Sequence, residues 1–252
     1  MRPSILLALC QIATVPVLLA VWQWASVGGY VSAAYFGAPL ATGALLWSML
    51  VDGSVIHHIG QSMIVLGAGF AGGMILGMGI GIITGISRWA NDILEPIIIF
   101  FNGMPRIILQ PFFVVWLGFG YAPKISLVVA VIVVMVAVST SAALKEVDRD
   151  IKMNARILGA GTWGMVTEVY APSLTLAMIS TSRINLAFAF QATLVSEFVG
   201  TADGLGFLII KGQQTHDVNL IWVALVVVVI LSSAIDLIVT RIERYSLRWM
   251  YS

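Results

Sequence analysis

The sequence predicts an all-α integral membrane protein with about six membrane-spanning helices. Three observations predict it. First, 60% of the 252 residues are hydrophobic and only 10% are charged, whereas a soluble domain carries about 45–50% apolar and about 25% charged residues. Mean hydropathy is +1.00. This balance excludes a disordered chain, a nucleic-acid binder and an ordinary cytosolic enzyme. Second, the apolar residues gather in runs that match the ~20 residues a helix needs to cross a bilayer. Third, the few cations are distributed unevenly, although the net charge of +1 is itself uninformative.

The expected spans cover roughly residues 5–27, 59–86, 96–118, 124–143, 172–197 and 218–240. Membrane strands do not fit, because barrel strands alternate apolar and polar residues and these runs do not. Met1 and Arg2 before an apolar run resemble a secretion signal, but the run is long and no small-x-small cleavage site follows. A retained first helix is expected. Cys10 lies within it as a small packing residue. With the N-terminus inside, Arg2, Arg88, Lys145, Arg149, Lys152, Arg156, Arg241, Arg244 and Arg248 fall in inner segments, and only Lys124 and Lys211 in outer ones. Both termini are therefore expected in the cytoplasm. Residues 45–56 read as an amphipathic helix at the outer interface. His57 and His58 follow as a solvated loop end, too few and too divergent for a zinc site.

The second span carries Gly69, Gly73, Gly77, Gly81 and Gly85 at every fourth position. They lie on one helical stripe. In lipid, small residues drive association by letting backbones approach. A tight seam is expected, either static or sliding. The third span holds Pro105 and Pro111, each of which removes a backbone donor. Such breaks persist only where protein or water satisfies the freed carbonyls. Arg106 adjoins the first break. It either lines a route for an anionic solute or serves the bundle by snorkelling or pairing with a carboxylate. In the fifth span, Ser180, Arg183, Gln191 and Glu197 project into one sector of about 120°, with Asn185 opposite. This stripe either lines a water-filled path or makes interhelical hydrogen bonds. Arg183 and Glu197 are too far apart to pair, but Asp236 is within reach of Arg183 in principle. Residues 200–212 suit a re-entrant or interfacial turn at the outer mouth.

The segment 144–171 is the longest inner one. Its pattern gives two short helices with a bend at Gly159–Gly161 and Thr162 as cap of the second. Ile151, Ile157, Leu158, Trp163, Met165 and Val166 exceed what so short a segment can bury, so a partner protein is expected to cover them. Here a resemblance enters. Ala155-x3-Gly159-x9-Val169-x-Ala171-Pro172 resembles the cytoplasmic "EAA" loop of permease subunits of ATP-binding-cassette (ABC) importers, with Met153-Asn154-Ala155 in place of Glu-Ala-Ala. Met104-Pro105-Arg106 through Gln110-Pro111-Phe112-Phe113 to Gly118-Phe119-Gly120 resembles the third-span signature of the nitrate, taurine and alkanesulfonate permease group. Ser196-Glu197-Phe198, Gly204-Leu205-Gly206-Phe207, Asp236, Arg241–Arg244 and Arg248-Trp249 continue the likeness in order.

The resemblance implies the transmembrane fold of a type I importer. The chain would be a single permease domain over 1–252, with a core bundle at about 59–240 and a coupling loop at 144–171. Asn154, Ala155, Leu158, Gly159, Ala160, Trp163 and Pro172 would dock the ATPase. It implies ABC ATPase subunits carrying ATP and Mg, an extracytoplasmic solute-binding protein, a second permease copy, surrounding membrane lipid and a bacterial inner-membrane location. The cargo class would be a sulfonate, nitrate, aromatic acid or similar small solute. The chain itself has no Gly-x4-Gly-Lys-Ser/Thr loop, no His-Glu-x2-His pair and no Gly-x-Ser-x-Gly elbow, so no cofactor, metal or catalytic site is expected within it. Two other classes are weighed. A gradient-driven secondary transporter would show a repeat of spans and buried acids, and only Asp236 and Glu197 qualify. A membrane enzyme would have to use Ser180, Ser182, Asp236 or Glu197, which show no nucleophile–base spacing.

Overall fold

A computed structural model of the protein describes residues 5–246, with side chains for residues 13–245 except Thr162. Arg2, Arg248 and Trp249, and the side chains of Cys10 and Thr162, lie outside the described residues. The described residues form helices and short connections, with no strand among them. In order these are α1 (Ile5–Val27), α2 (Ala33–Phe36), α3 (Pro39–Val51), α4 (Ser54–Ile86), α5 (Arg88–Gly103), a 3-10 turn Arg106–Leu109, α6 (Gln110–Leu117), α7 (Tyr121–Glu146), α8 (Arg149–Ile157), α9 (Thr162–Gly164), a π turn Met165–Tyr170, α10 (Ala171–Ser196), α11 (Leu205–Gln214) and α12 (Val218–Ser246).

Among the described residues, α4, α7 and α12 are long and apolar enough to cross a membrane. The expected third span is not one helix. It is α5 and the Arg106–Leu117 segment, bent by 92°. Pro105 stands at the break, and Pro111 falls in the first turn of α6. There its missing N–H would be unpaired anyway, so Pro111 starts a helix and does not interrupt one. The expected fifth span, α10, has the length at 26 residues but carries Ser180, Arg183, Asn185 and Gln191 along it. Of α1, the stretch Ala13–Val27 counts as a shorter apolar helix.

The centre of the bundle is the α4–α7 pair. A Cβ at Gly73 would stand 2.6 Å from the Ile132 Cβ, and one at Gly77 2.7 Å from the Val133 carbonyl oxygen. Gly69, Gly81 and Gly85 meet Val128, Thr140 and Leu144 in the same way. Glycine at every fourth position of α4 thus receives a larger residue at every fourth position of α7. Both series ascend together, so the two helices run parallel. The chain between them must return the length of the bundle, and the bent α5–α6 pair is what carries it back. Val65 and Leu66 of α4, Val128, Ile132 and Val136 of α7, and Ala189 and Phe190 of α10 close this core. A second cluster joins Met49 of α3, Val55 of α4, Leu205 and Leu208 of α11, and Val223 and Ala224 of α12.

The segment before α4 is tied to α12. Asn219 accepts hydrogen bonds from the Ala38 N–H at 3.1 Å and the Thr42 hydroxyl at 3.2 Å. The Trp222 indole donates to the Phe36 carbonyl at 2.9 Å. The amphipathic helix expected at 45–56 is the C-terminal half of α3, which ends at Val51. His57 and His58 lie within the first turns of α4 and not in a loop.

The seam makes a direct prediction. Gly73→Ala and Gly77→Ala will each lower the thermal stability of the detergent-purified protein, by about 1–3 kcal/mol from overpacking. Gly67, with nothing near its missing Cβ, will tolerate Ala without loss. Equal melting temperatures for all three variants would contradict the seam.

Candidate functional site

The polar chemistry gathers at mid-height and at the two ends. The first is a cavity of about 370 Å³ between the α5 break, α7 and α10, lined by Asn102, Pro105, Arg106, Met135, Phe188 and Gln191 among others. Arg106 and Gln191 come from different expected spans, and the fold brings both to this one cavity. Arg106 is placed by the break itself. Its guanidinium donates to the carbonyls of Phe101 (3.3 Å) and Asn102 (3.3 Å), to the Asn102 side-chain oxygen (2.9 Å) and across to the Val131 carbonyl (3.0 Å). The Phe101 and Asn102 carbonyls are among the unpaired ones of the α5 C-terminus, where a cation is favoured by the helix dipole. Carbonyls orient the guanidinium without neutralising it. Among the described residues no carboxylate lies within ion-pair distance of Arg106.

Arg183 lies on a different wall, on a cavity between α10 and α12. It pairs side-on with Asp236, Nη2 to Oδ2 at 2.8 Å and Nε to the other oxygen. Ser232 and Ser233 line the same recess. The pair is about half-exposed in the single chain, which is costly against lipid. Ser180 is exposed one turn away, with its hydroxyl turned back to the Ala177 carbonyl at 3.0 Å. Asn185, expected opposite the polar stripe, is buried.

Glu197, placed on the polar stripe by helical projection, is the C-cap of α10, still in helical conformation with its N–H donating to the Thr193 carbonyl at 3.2 Å. It is 1% exposed and folds under the following turn. Its carboxylate accepts hydrogen bonds from the Ser62 hydroxyl at 2.8 and 3.0 Å and from the Gly206 N–H at 2.8 Å. The Ser62 oxygen in turn accepts the Leu205 N–H at 2.9 Å. A Cβ at Gly204 or Gly206 would collide with Glu197, which is why the turn reads Gly-Leu-Gly. His58 Nδ1 accepts the Gly204 N–H at 3.1 Å, and His57 Nε2 lies 3.0 Å from Asp203. Lys124 of α7, also buried, donates to the Asp203 carbonyl at 3.3 Å. The histidines therefore clamp the α10–α11 turn instead of ending a solvated loop. Ser62 was missed in sequence, and its only signal was a polar position inside an oily helix.

The opposite end carries the elbow. α8 stops in a paired C-cap: the Gly159 N–H bonds to the Arg156 carbonyl (3.0 Å) and the Ala160 N–H to the Ala155 carbonyl (2.9 Å). Gly159 sits at φ +88°, which glycine adopts without a Cβ penalty. The second limb is not a separate helix. α9 passes through the π turn into α10, so residues 162–196 form one rod. Pro172 explains the wide turn, because its ring and missing N–H disfavour α-helical bonding one turn back. Met165 and Val169 are buried under the elbow, whereas Leu158 is 87% and Trp163 77% exposed. Ile151, Ile157 and Val166 are exposed too. Of the six apolar residues expected to be uncovered, only Met165 is packed. Asn154 and Gly159 are exposed, and Ala155 and Ala160 are partly so.

These features define a helical membrane permease: a bundle of apolar helices around polar cavities, with an uncovered elbow at one end. Residues 73–250 match the family of binding-protein-dependent transport system inner membrane components, and the chain belongs to that family, the permease subunits of ABC importers. It is 25% identical over 236 residues to a Bacillus subtilis protein named as an aliphatic sulfonates transport permease, covering 94% of this chain and 86% of the relative. It is 26% identical to the riboflavin transport system permease of Chloroflexus aurantiacus, covering 94% and 88%. It is 24% identical to the taurine transport system permease of Escherichia coli, covering 95% and 89%. The fold is that of a solved methionine ABC transporter chain in an inward-facing conformation, with TM-score 0.67 and 21% identity over 76% of this chain and 95% of that one.

The Glu197 turn can be tested apart from transport. Ser62→Ala removes a donor to a buried carboxylate and will cost about 1–3 kcal/mol, read as a lowered melting temperature of the purified protein. Ser180→Ala, at an exposed self-bonded hydroxyl, will leave it unchanged. A neutral Ser62→Ala would remove the knot from the account of this end.

Proposed function

We propose that the chain forms half of the pathway of an ATP-driven importer for a small organic or inorganic anion, such as a sulfonate, nitrate or aromatic acid. Two permease copies enclose the route, and two ATPase subunits, which carry ATP and Mg, dock on residues 144–171. A solute-binding protein delivers cargo at the His57–Asp203 end. The elbow end is cytoplasmic, which agrees with the excess of Lys and Arg there. Asn154, Ala155, Leu158, Gly159, Ala160, Trp163 and Pro172 form the docking surface. The chain itself makes and breaks no bonds. ATP binding closes the ATPase dimer, the elbow follows it, and the helices reorient between outward and inward access.

The observation that carries this reading is the continuity of the uncovered elbow with α10, since α10 bears Gln191 and Arg183 at the cavities. A partner's motion at Trp163 thereby acts on the cavity walls through one rod. Family membership favours this over a gradient-driven carrier. The anion is supported by Arg106, oriented by carbonyls and lacking a carboxylate within ion-pair distance among the described residues, and by the sulfonate and taurine relatives. Bidentate recognition of an oxyanion is what a guanidinium supplies best.

Two outcomes are expected. Gly159→Val forces a β-branched residue to positive φ, so the ATPase will no longer co-purify with the permease and uptake will fall to background. Retention of both would overturn the docking role. Arg106→Gln will reduce uptake of a radiolabelled alkanesulfonate, nitrate or benzoate at least about tenfold, the factor of one lost charge-assisted contact, while the ATPase still co-purifies. Undiminished uptake of whichever anion the wild type carries would remove Arg106 from the route.

A further inference from the structure

A further cavity, of about 260 Å³, lies on the elbow side of the Arg106 cavity and shares Asn102 with it. Both open along the groove between α5 and α7. The upper one touches Val131 and Met135 of α7, and the lower one Val138, Ser141, Ala142 and Lys145. The two therefore succeed one another down the same pair of helices. The lower cavity is not a plain packing gap. Ser141 is 8% exposed, and its hydroxyl has no hydrogen-bond partner among the described residues. At its mouth the Lys145 ammonium donates to the Asn91 side-chain oxygen at 2.8 Å, and the Asn91 amide donates to the Glu95 carboxylate. Ile98, Ile99 and Ala137 form an apolar wall between these groups and Asn102.

The charges differ between the two cavities. Above, Arg106 has no carboxylate within ion-pair distance among the described residues. Below, Lys145 and Glu95 meet through one asparagine, so the mouth is close to neutral. An anion would be held above and only briefly lodged below, offered the Lys145 ammonium and the free Ser141 hydroxyl but repelled by Glu95. The apolar wall suits the body of an organic anion.

We propose that this lower cavity is an exit station for the transported anion, in which Glu95 offsets Lys145 so that cargo arriving from Arg106 is released towards the elbow end. The proposal rests on the transport direction argued above. It assigns to Asn91, Glu95, Ser141 and Lys145 a contact with the cargo and not a fold-holding role alone.

The test uses thiol labelling in the whole transporter, assembled with its ATPase in inside-out vesicles without nucleotide. Cys10→Ser removes the only native cysteine. Ser141→Cys, and separately Ala142→Cys in case the first variant does not assemble, place a thiol in the station. The probes are the anionic sulfonatoethyl and the cationic trimethylammonioethyl methanethiosulfonates. The thiol is expected to react with both from the elbow side. Adding Glu95→Gln is expected to raise the anion-to-cation rate ratio about tenfold, since one unit charge acts on the two probes with opposite sign. An unchanged ratio would overturn the proposal. So would thiols that react only with a lipid-soluble maleimide, which would mean that an acyl chain fills the groove. Failure of the ATP-driven reading shows separately, as uptake that continues without ATP, and leaves the labelling ratio unaffected.

Discussion

Everything else in this bundle depends on the close approach of α4 and α7. Within lipid, apolar side chains gain little by leaving one oily surface for another, so helices must associate through packing and backbone proximity. Five glycines at every fourth position of α4 let five larger residues of α7 sit against its backbone. The parallel run of these helices then fixes the topology. An intervening segment has to return across the bundle, and it has to do so outside a seam that admits no third element. The α5–α6 pair meets that demand with a sharp break, and the break creates the free carbonyls that hold Arg106.

The polar residues sort by how they are satisfied. Glu197, the Ser62 hydroxyl and the Leu205 and Gly206 N–H groups form a closed set, buried and mutually hydrogen-bonded, and the buried Lys124 beside it bonds the Asp203 carbonyl. Such a set fixes one arrangement of α4, α10 and α11. Arg183 and Asp236 satisfy each other but stay open to one side, on a surface that lipid would penalise. A single chain therefore leaves an ion pair where another protein surface or water would shield it, in keeping with half a pathway. Arg106 is a third case: oriented by carbonyls, with no carboxylate within ion-pair distance among the described residues, and facing a cavity.

The regularities with a fixed period were legible in the sequence. The glycine repeat named its own seam. The Gly159 cap and the exposed apolar residues around it were also readable, because a positive-φ glycine and an excess of oil in a short loop are local facts. The straight third span was an extrapolation of helical periodicity past a point where the helix stops, since at Pro105 the chain turns by 92°. For Glu197, periodicity gave a place on α10 but no sign of the Ser62 hydroxyl and Gly206 N–H that close over its carboxylate. The meeting of Arg106 with Gln191, and of Ser62 with Glu197, joins residues far apart in the chain. No spacing rule within one helix could have found either.

The widened turn before Pro172 has a mechanical consequence. By inserting a loose coil instead of a break, it welds the short limb bearing Trp163 to α10, giving a shaft of 35 residues, about 50 Å long. Helical assignment is unbroken along it, so the foot that carries Trp163 and the turns that carry Gln191 and the anchorage of the buried acid belong to one element and not to two.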